Sequence, residues 1–277
     1  MHFPSPYFVA FEVAVAVTFV ICLRDARQRG AARVLALCAG VVFGVLLELA
    51  TIRQLHAYRY GTFTVMVLDV PLVIGVAWGT IVYSARAFSD AADLPAWARP
   101  VMDGLIALNL DLAMDAVAIR LGMWDWGIGL RAAWFGVPWA NFWAWFWVVF
   151  SFSSGWRLGE RLPGRAATYL APVLALVVGL AGVLGTNALI TFVVPGWLYR
   201  PIIALVLFGA LAVVLVVRPR LAVREVPVVA RAVPAVIHVY FLVAGIVSGA
   251  LFAPAWLCMA SVLMAAAAAC LHRSPRR

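Results

Sequence analysis

Nine apolar runs, each long enough to cross a membrane as a helix, dominate the sequence. A helix needs roughly 20 apolar residues to span the hydrocarbon core of a bilayer. The runs predict spans over 7–23, 33–50, 65–87, 101–121, 139–156, 168–193, 200–217, 232–252 and 254–271. Because 66% of the residues are hydrophobic and 12% are charged, the chain lacks the polar surface that a soluble globule requires. The sequence therefore predicts an all-α, polytopic transmembrane helix bundle, with residues 1–277 as a single integral membrane domain.

The arginines indicate how the predicted spans are oriented. All 21 basic residues are arginines, and sixteen of them lie in loops on one side of the spans. Loops on the cytoplasmic side of a membrane are richer in basic residues. The asymmetry therefore predicts a protein of the cell's cytoplasmic (inner) membrane, with its N-terminus outside the cell and its C-terminus inside. The arginines form short clusters rather than one continuous patch. The net charge of +9 therefore indicates contact with membrane lipid, and nucleic-acid binding is not expected.

Two prolines mark boundaries of the predicted helices. Only the break at Ala253-Pro254 separates the last two runs, and a proline there could instead kink one helix over 232–271. Asp69 precedes Pro71 near the predicted start of the third span, where a role as helix N-cap is the simplest explanation.

Acidic residues inside the predicted spans are the first candidates for a functional site. Carboxylates are costly in hydrocarbon, so those that occur usually face the interior of a bundle. Glu48 lies near the end of the second span, Asp111 and Asp115 lie on the fourth, and Asn141 opens the fifth. A separation of four residues places both aspartates on one face of a helix. Two carboxyls that close in a low dielectric are not expected to be ionised together, which leaves a neutral acid beside a base.

The predicted topology places these polar residues toward the outer face of the membrane, together with two aromatic loops, 51–64 and 122–138. Purely structural roles would also fit these residues. The aspartates could form ion pairs with Arg53 or Arg120, Glu48 could be an interfacial residue, and the loop aromatics could form an interfacial belt. Trp139, Trp143 and Trp147 recur every four residues, which is typical of lipid-facing or core packing but also of an apolar ligand groove.

Several short motifs follow one another between Glu48 and Phe150. They are Tyr58-Arg59-Tyr60-Gly61, Val70-Pro71-Leu72 with Ala77-Trp78, Asp111-Leu112 with Asp115, Gly122-Met123-Trp124-Asp125-Trp126, and Phe135-Gly136-Val137-Pro138 with Asn141-Phe142 and Trp145. In order and spacing they resemble the membrane-bound carotenoid hydratases of bacteria and archaea, of the γ-carotene and bisanhydrobacterioruberin hydratase type. The motifs occupy 48–150, whereas 165–277 carries none. His56-Ala57 and Ala116 depart from the family pattern and indicate a divergent member.

The resemblance implies an enzyme, a hydro-lyase that adds water across the terminal double bond of a carotenoid ψ-end group. The substrate would be a carotenoid or another long isoprenoid, and no cofactor or metal is expected. Protonating the alkene needs a strong acid, the water needs a base, and aromatic faces can stabilise the intermediate cation. The implied catalytic residues are Asp111, Asp115 and Glu48, and the implied substrate-binding residues are Tyr58, Tyr60, Trp78, Trp124, Trp126 and Asn141.

Three further functions are compatible with the sequence. A carotenoid end-group cyclase shares the protonation step but ends by losing a proton. An intramembrane prenyltransferase is suggested by 109–115, which resembles half of an aspartate-rich motif for diphosphate and magnesium, although no second motif of this kind occurs. A transporter or a lipid-binding or polyene-binding scaffold is less well supported, because the chain shows no internal symmetry between two halves.

Overall fold

The computed structural model describes residues 5–217, 220–221 and 226–272, and this part of the chain is mainly helical. Its nine α-helices are α1 (Pro6–Arg29), α2 (Ala31–Leu55), α3 (Leu72–Ala91), α4 (Arg99–Arg120), α5 (Trp139–Gly159), α6 (Arg165–Ala188), α7 (Gly196–Val217), α8 (Val228–Val247) and α9 (Trp256–Leu271). Its strands are β1 (Arg59–Tyr60), β2 (Met66–Val67), β3 (Val70–Pro71), β4 (Ala92–Asp93), β5 (Trp124–Asp125) and β6 (Arg220–Leu221). A π-helical turn, Leu189–Val193, continues α6, and a short 3-10 helix, Ala250–Phe252, precedes α9.

Six helices of the described chain are long and apolar enough to cross a membrane. They are α1, α2, α3, α6 with its π-helical turn, α7 and α8. Helix α9 is apolar but shorter, and α4 carries three buried aspartates, Asp103, Asp111 and Asp115. The predicted all-α, multi-pass membrane bundle is confirmed. The count of nine spans and their orientation in the membrane stay predictions.

The structure corrects two predicted boundaries. The third span begins at Leu72 rather than at residue 65, because β2 and β3 pair as a hairpin before the helix starts. Asp69 lies in the turn of this hairpin, and the N-cap residue of α3 is Pro71, so the predicted capping role of Asp69 is wrong. The predicted division of 232–271 into two helices is confirmed, but α8 already ends at Val247, because Gly249 adopts a positive φ of 78° that interrupts the helix before Ala253-Pro254.

The two ends of the bundle differ in chemistry. At one end, here called the arginine-rich end, ion pairs join helices that are distant in sequence: Arg157 contacts Asp90 and Asp103, and Arg86 contacts Glu160. Strands β4 and β6 also pair at this end. At the opposite end, here called the aromatic end, β1 pairs with β5 and joins the loop that follows α2 to the loop that follows α4.

Helices α2 and α3 approach each other closely because glycines face the partner helix. A Cβ atom on Gly44 would lie 2.6 Å from the Cβ atom of Trp78 and 2.9 Å from the Cα atom of Gly75. Small residues of this kind allow close backbone contact between membrane helices. The close approach brings Trp78 on α3 beside Glu48 on α2, where the two side chains are hydrogen-bonded.

Replacing Gly44 by alanine is expected to destabilise the protein by about 1–3 kcal/mol, because the added methyl group must displace backbone or the Trp78 side chain. Gly185→Ala is the matched control, since nothing lies within 4 Å of the added Cβ on α6. This control should stabilise the helix by about 0.4–1 kcal/mol. Thermal unfolding of the purified protein in detergent measures both changes, and equal effects of the two variants would contradict the close packing.

Candidate functional site

A single side-chain amide connects the two aspartates of α4. The Nδ2 atom of Asn141, in the first turn of α5, donates to Oδ1 and Oδ2 of Asp111 at 2.9 and 3.0 Å. The same atom donates to Oδ2 of Asp115 at 2.7 Å. Asp111 is 0% exposed and Asp115 is 2% exposed. The remaining oxygen of Asp115, Oδ1, is buried and has no hydrogen-bond partner in the described part of the chain.

No arginine neutralises this carboxyl pair in the described residues. Arg53 lies 3.7 Å from Asp69, and Arg120 donates to the carbonyl oxygens of Ala116 and Phe135. The alternative in which these arginines form ion pairs with the aspartates is therefore wrong. Two buried carboxyl groups that share one amide donor are not expected to be ionised together, which leaves a neutral acid beside a base.

Glu48 is held by three donors from three separate positions in the sequence. The hydroxyl groups of Tyr58 and Tyr60 donate to its Oε2 atom at 2.5 and 2.8 Å. The indole Nε1 of Trp78 donates to its Oε1 atom at 2.8 Å. Glu48 is buried within the bundle. Three donors around one carboxyl group match an ionised carboxylate, which only accepts hydrogen bonds.

The pairing of β1 with β5 positions the two tyrosines. Tyr60 lies opposite Trp124 in the strand register, and the ring of Tyr58 packs on Trp126 with centroids 4.6 Å apart. Burial of the two hydroxyl groups, together with the charge of the adjacent Glu48, raises the pKa of Tyr58 and of Tyr60 well above the ordinary tyrosine value. Both hydroxyls therefore stay protonated and remain donors to Glu48 throughout the neutral pH range.

Asp125 accepts two hydrogen bonds on the exposed side of this strand pair. Its Oδ1 atom accepts the backbone N–H of Gly127 at 2.8 Å, and its Oδ2 atom accepts Nη2 of Arg59 at 3.2 Å. These contacts, the Gly127 bond first, lower the pKa of Asp125 below the ordinary value. The carboxylate is exposed and lies outside the buried site.

Replacing Tyr60 by phenylalanine is expected to lower the free energy of unfolding by about 1.5–3 kcal/mol, since it removes a buried hydrogen bond to a charged group. Tyr169→Phe is the matched control, because Tyr169 lies exposed on α6. Denaturation of both variants in detergent, followed by tryptophan fluorescence, measures the difference. If the two variants unfold alike, the bond to Glu48 does not contribute to stability.

Glu48 and Asp115 face a common cavity of about 60 Å³, which is room for a few water molecules. The predicted site residues that line it are Glu48, Tyr58, Tyr60, Trp78, Trp124, Trp126, Asp115 and Asn141. Asp111, the remaining predicted residue, does not line the cavity. It is linked to the cavity residue Asn141 by a hydrogen bond. Sequence reasoning did not select the apolar part of the lining, which is Phe11, Val15, Ile74, Ala77, Ile81, Met114, Trp145 and Ile237.

A groove of about 730 Å³ adjoins this cavity. The residues common to both are Glu48, Tyr58, Trp78, Trp126, Asn141 and Trp145. The groove extends along α2 and α5 to α6, the π-helical turn and the start of α7. Phe192 in this turn lines the groove and is 65% exposed, so the groove is open to the surface of the bundle. Its walls are mainly apolar, as is usual for sites that bind small apolar molecules.

Some polar and aromatic residues noted in the sequence lie elsewhere. Asn109 is hydrogen-bonded to His238 Nε2 at 3.1 Å and to the Met264 carbonyl at 3.2 Å, away from the acid pair. Trp143 is buried against Ile190 and Ile203, so the tryptophans of α5 pack against the π-helical turn and α7.

Three polar residues of the groove were missed by sequence reasoning: Thr51, Gln54 and Asn187. Thr51 and Gln54 follow Glu48 by one and two helical turns. Asn187 interrupts the apolar run predicted over 168–193, and an amide inside such a run is the signal that could have identified it.

The fold and the site define a class: a multi-pass membrane protein whose buried carboxyl groups face a cavity that adjoins an apolar surface groove. Residues 5–212 match the family model described as carotenoid biosynthesis protein. The match covers more than half of the chain, so the chain belongs to the carotenoid biosynthesis protein family and has a role in carotenoid biosynthesis. It extends beyond the motif-bearing residues 48–150 in both directions. No curated protein and no solved structure matches the chain.

Proposed function

We propose that this protein is a carotenoid hydratase, a hydro-lyase that adds water to the terminal double bond of a ψ-end group without a cofactor. One observation carries the proposal: the unpartnered Oδ1 atom of Asp115 and the carboxylate of Glu48 line the same small aromatic cavity. The cavity opens into an apolar groove that suits a long isoprenoid. We place the protein in the cytoplasmic membrane as a single domain with its aromatic end outside, as the arginine distribution predicts.

Asp115 is the proton donor in this mechanism. Its carboxyl proton passes from the side facing the cavity to the less substituted alkene carbon, and the alkene π electrons form the new C–H bond. The other alkene carbon becomes a tertiary cation, and Asp115 becomes a carboxylate. Asn141 stabilises this carboxylate through the bond to its Oδ2 atom. Asp111 is a positioning residue, since both of its carboxyl oxygens hold the amide of Asn141.

Water capture completes the reaction. The oxygen of a water molecule in the cavity bonds to the cation, and Glu48 accepts the proton that this water releases. A second water returns the proton from Glu48 to Asp115, so the net change is the addition of one water. General acid and base groups of this kind contribute about 10²–10⁴-fold each to a rate.

The surroundings suit a transient cation. The aromatic rings of Tyr58, Trp78, Trp124 and Trp126 line the cavity and present electron-rich faces. Each cation–π contact contributes about 0.5–2 kcal/mol in a desolvated site. The negative charge of Glu48 adds to this attraction. No arginine lines the cavity in the described part of the chain, which argues against a diphosphate substrate and hence against a prenyltransferase.

The test is expression of the full chain in a host that accumulates lycopene, followed by mass analysis of the extracted pigments. A pigment that has gained one water supports hydration. An isomer of unchanged mass with a cyclised end group would assign the protein to the cyclases instead. If neither product forms while the protein is present in the membrane, both forms of end-group protonation are contradicted, and a polyene-binding or transport role becomes the better explanation.

A further inference from the structure

The groove contains a polar patch that the proposed hydration does not use. Three buried atoms have no hydrogen-bond partner in the described residues: Thr51 Oγ1, Gln54 Oε1 and Asn187 Nδ2. All three residues line the groove. Asn187 is 2% exposed and Thr51 is 8% exposed, so bulk water does not satisfy these groups. A buried polar group without a partner costs about 1–3 kcal/mol, and three around one void indicate a missing ligand.

The two walls of the groove bring these groups together. Thr51 and Gln54 lie on α2, three and six residues after Glu48, and all three residues line the groove. Gln54 Nε2 donates to the carbonyl oxygen of Leu184 on α6 at 2.9 Å, one turn before Asn187. This bond holds the α2 wall against the α6 wall. The patch therefore lies between two helices and beside the entrance to the acid cavity.

The backbone beyond Asn187 is irregular. The N–H of Val194 donates to the carbonyl of Leu189 at 3.0 Å, which is the spacing of a π-helical turn. Such turns often occur at functional sites of helices. Here the turn begins two residues after Asn187, and its residues Ile190, Thr191 and Phe192 line the groove.

The chemistry of the patch selects one kind of ligand. A threonine hydroxyl both donates and accepts, the Gln54 oxygen accepts, and the Asn187 amide nitrogen donates. This combination complements a hydroxyl group, which also donates and accepts. None of the three residues carries a charge, so the patch suits a neutral oxygen rather than a phosphate or carboxylate.

We propose that Thr51, Gln54 and Asn187 form a subsite for one neutral hydroxyl oxygen, supplied by a bound water or by an oxygenated polyene. The oxygenated polyene as a source of this hydroxyl rests on the proposed function, which identifies a polyene as the ligand of the groove. The subsite lies outside the acid cavity, so it would select or position the substrate without touching the protonated double bond.

Binding measurements with the full-length protein in detergent test this subsite without requiring turnover. The probes are lycopene and its 1-hydroxy derivative, and quenching of tryptophan fluorescence reports their binding. If the hydroxyl comes from the polyene, the wild-type protein binds the hydroxylated probe more tightly than lycopene. Asn187→Leu should then lower the ratio of these two affinities by about three- to tenfold. Thr51→Val should act in the same direction.

If the hydroxyl comes from water, both probes bind the wild-type protein alike. The two variants then lower the yield of hydrated pigment from both polyenes, with their binding unchanged. Thr186→Val is the matched control, since the Thr186 hydroxyl on α6 already donates to the carbonyl of Val183. The subsite is overturned if folded Asn187→Leu and Thr51→Val proteins behave like this control in both binding and product yield.

Failure of the subsite and failure of the hydratase proposal are distinguishable. A wild-type protein that prefers the hydroxylated probe but never hydrates lycopene retains the subsite and loses the proposed reaction. A protein that hydrates lycopene equally well with and without the patch retains the reaction and loses the subsite. Thermal unfolding of each variant shows that it is folded before either conclusion is drawn.

Discussion

Asp115→Asn is expected to lower the formation of hydrated carotenoid by about 10²–10⁴-fold, the usual contribution of a general acid. Asparagine keeps the size of the side chain and can still contact Asn141, but it has no acidic proton to give to a carbon atom. Asp115 is also the aspartate of the pair that faces the cavity with a free oxygen. Quantified pigment from membranes with equal amounts of each protein measures the effect.

Two further variants on the same helix sharpen this result. Asp111→Asn should reduce the yield less than Asp115→Asn, because Asp111 does not line the cavity and acts through Asn141. Asp103→Asn is the matched control: this aspartate is equally buried on α4 but belongs to the arginine-rich end. Polyene binding should be unchanged in all folded variants. Full activity of Asp115→Asn would rule out Asp115 as the proton donor.

Arg157→Met is expected to cause a large loss of stability, about 3–5 kcal/mol, because it leaves buried charge without a partner. Arg157 contacts Asp103 at 3.1 Å and also pairs with Asp90, and Asp103 is fully buried. Methionine fills a similar volume but cannot donate hydrogen bonds. The thermal unfolding temperature in detergent should fall markedly.

Arg59→Met provides the control for a charge that is paired but exposed. Arg59 and Asp125 are 3.2 Å apart at the aromatic end, with both side chains largely in contact with solvent. Exposed pairs contribute little, so no measurable change in unfolding temperature is expected. In addition, Asp103→Asn combined with Arg157→Met should recover part of the lost stability. Equal effects of Arg157→Met and Arg59→Met would contradict the structural role of the buried network.

The helices could be predicted because hydrophobic length is a local property of the sequence. Each of the nine apolar runs overlaps one described helix. The start of α3 was misplaced because Met66, Val67 and Val70 are as apolar as the helix that follows, although they form a hairpin. Apolar composition alone does not distinguish a short strand from the first turn of a membrane helix.

The candidate site shows a similar division. The cost of buried carboxylates identified Glu48, Asp111 and Asp115, but their partners come from other helices and loops that only folding brings close. Asp103 was not predicted as a functional or structural polar residue, because its partner Arg157 is 54 residues away. The arginines were interpreted only as indicators of membrane topology. Asn187 stands out as an amide within an apolar run, but its position opposite Thr51 and Gln54 depends on the packing of α2 against α6.

The pairing of α4 with α5 has a consequence for how the chain enters the membrane during synthesis. The sequence predicts that α4 spans the membrane. An aspartate at the centre of a spanning helix costs about 2.5–3.5 kcal/mol to insert, so α4, with Asp111 near its middle and two further aspartates, inserts poorly alone. Each of these aspartates has its partner on α5, the next helix to be synthesised: Asn141 for Asp111 and Asp115, Arg157 for Asp103. The two helices can therefore leave the translocon as one hairpin whose polar groups are already matched.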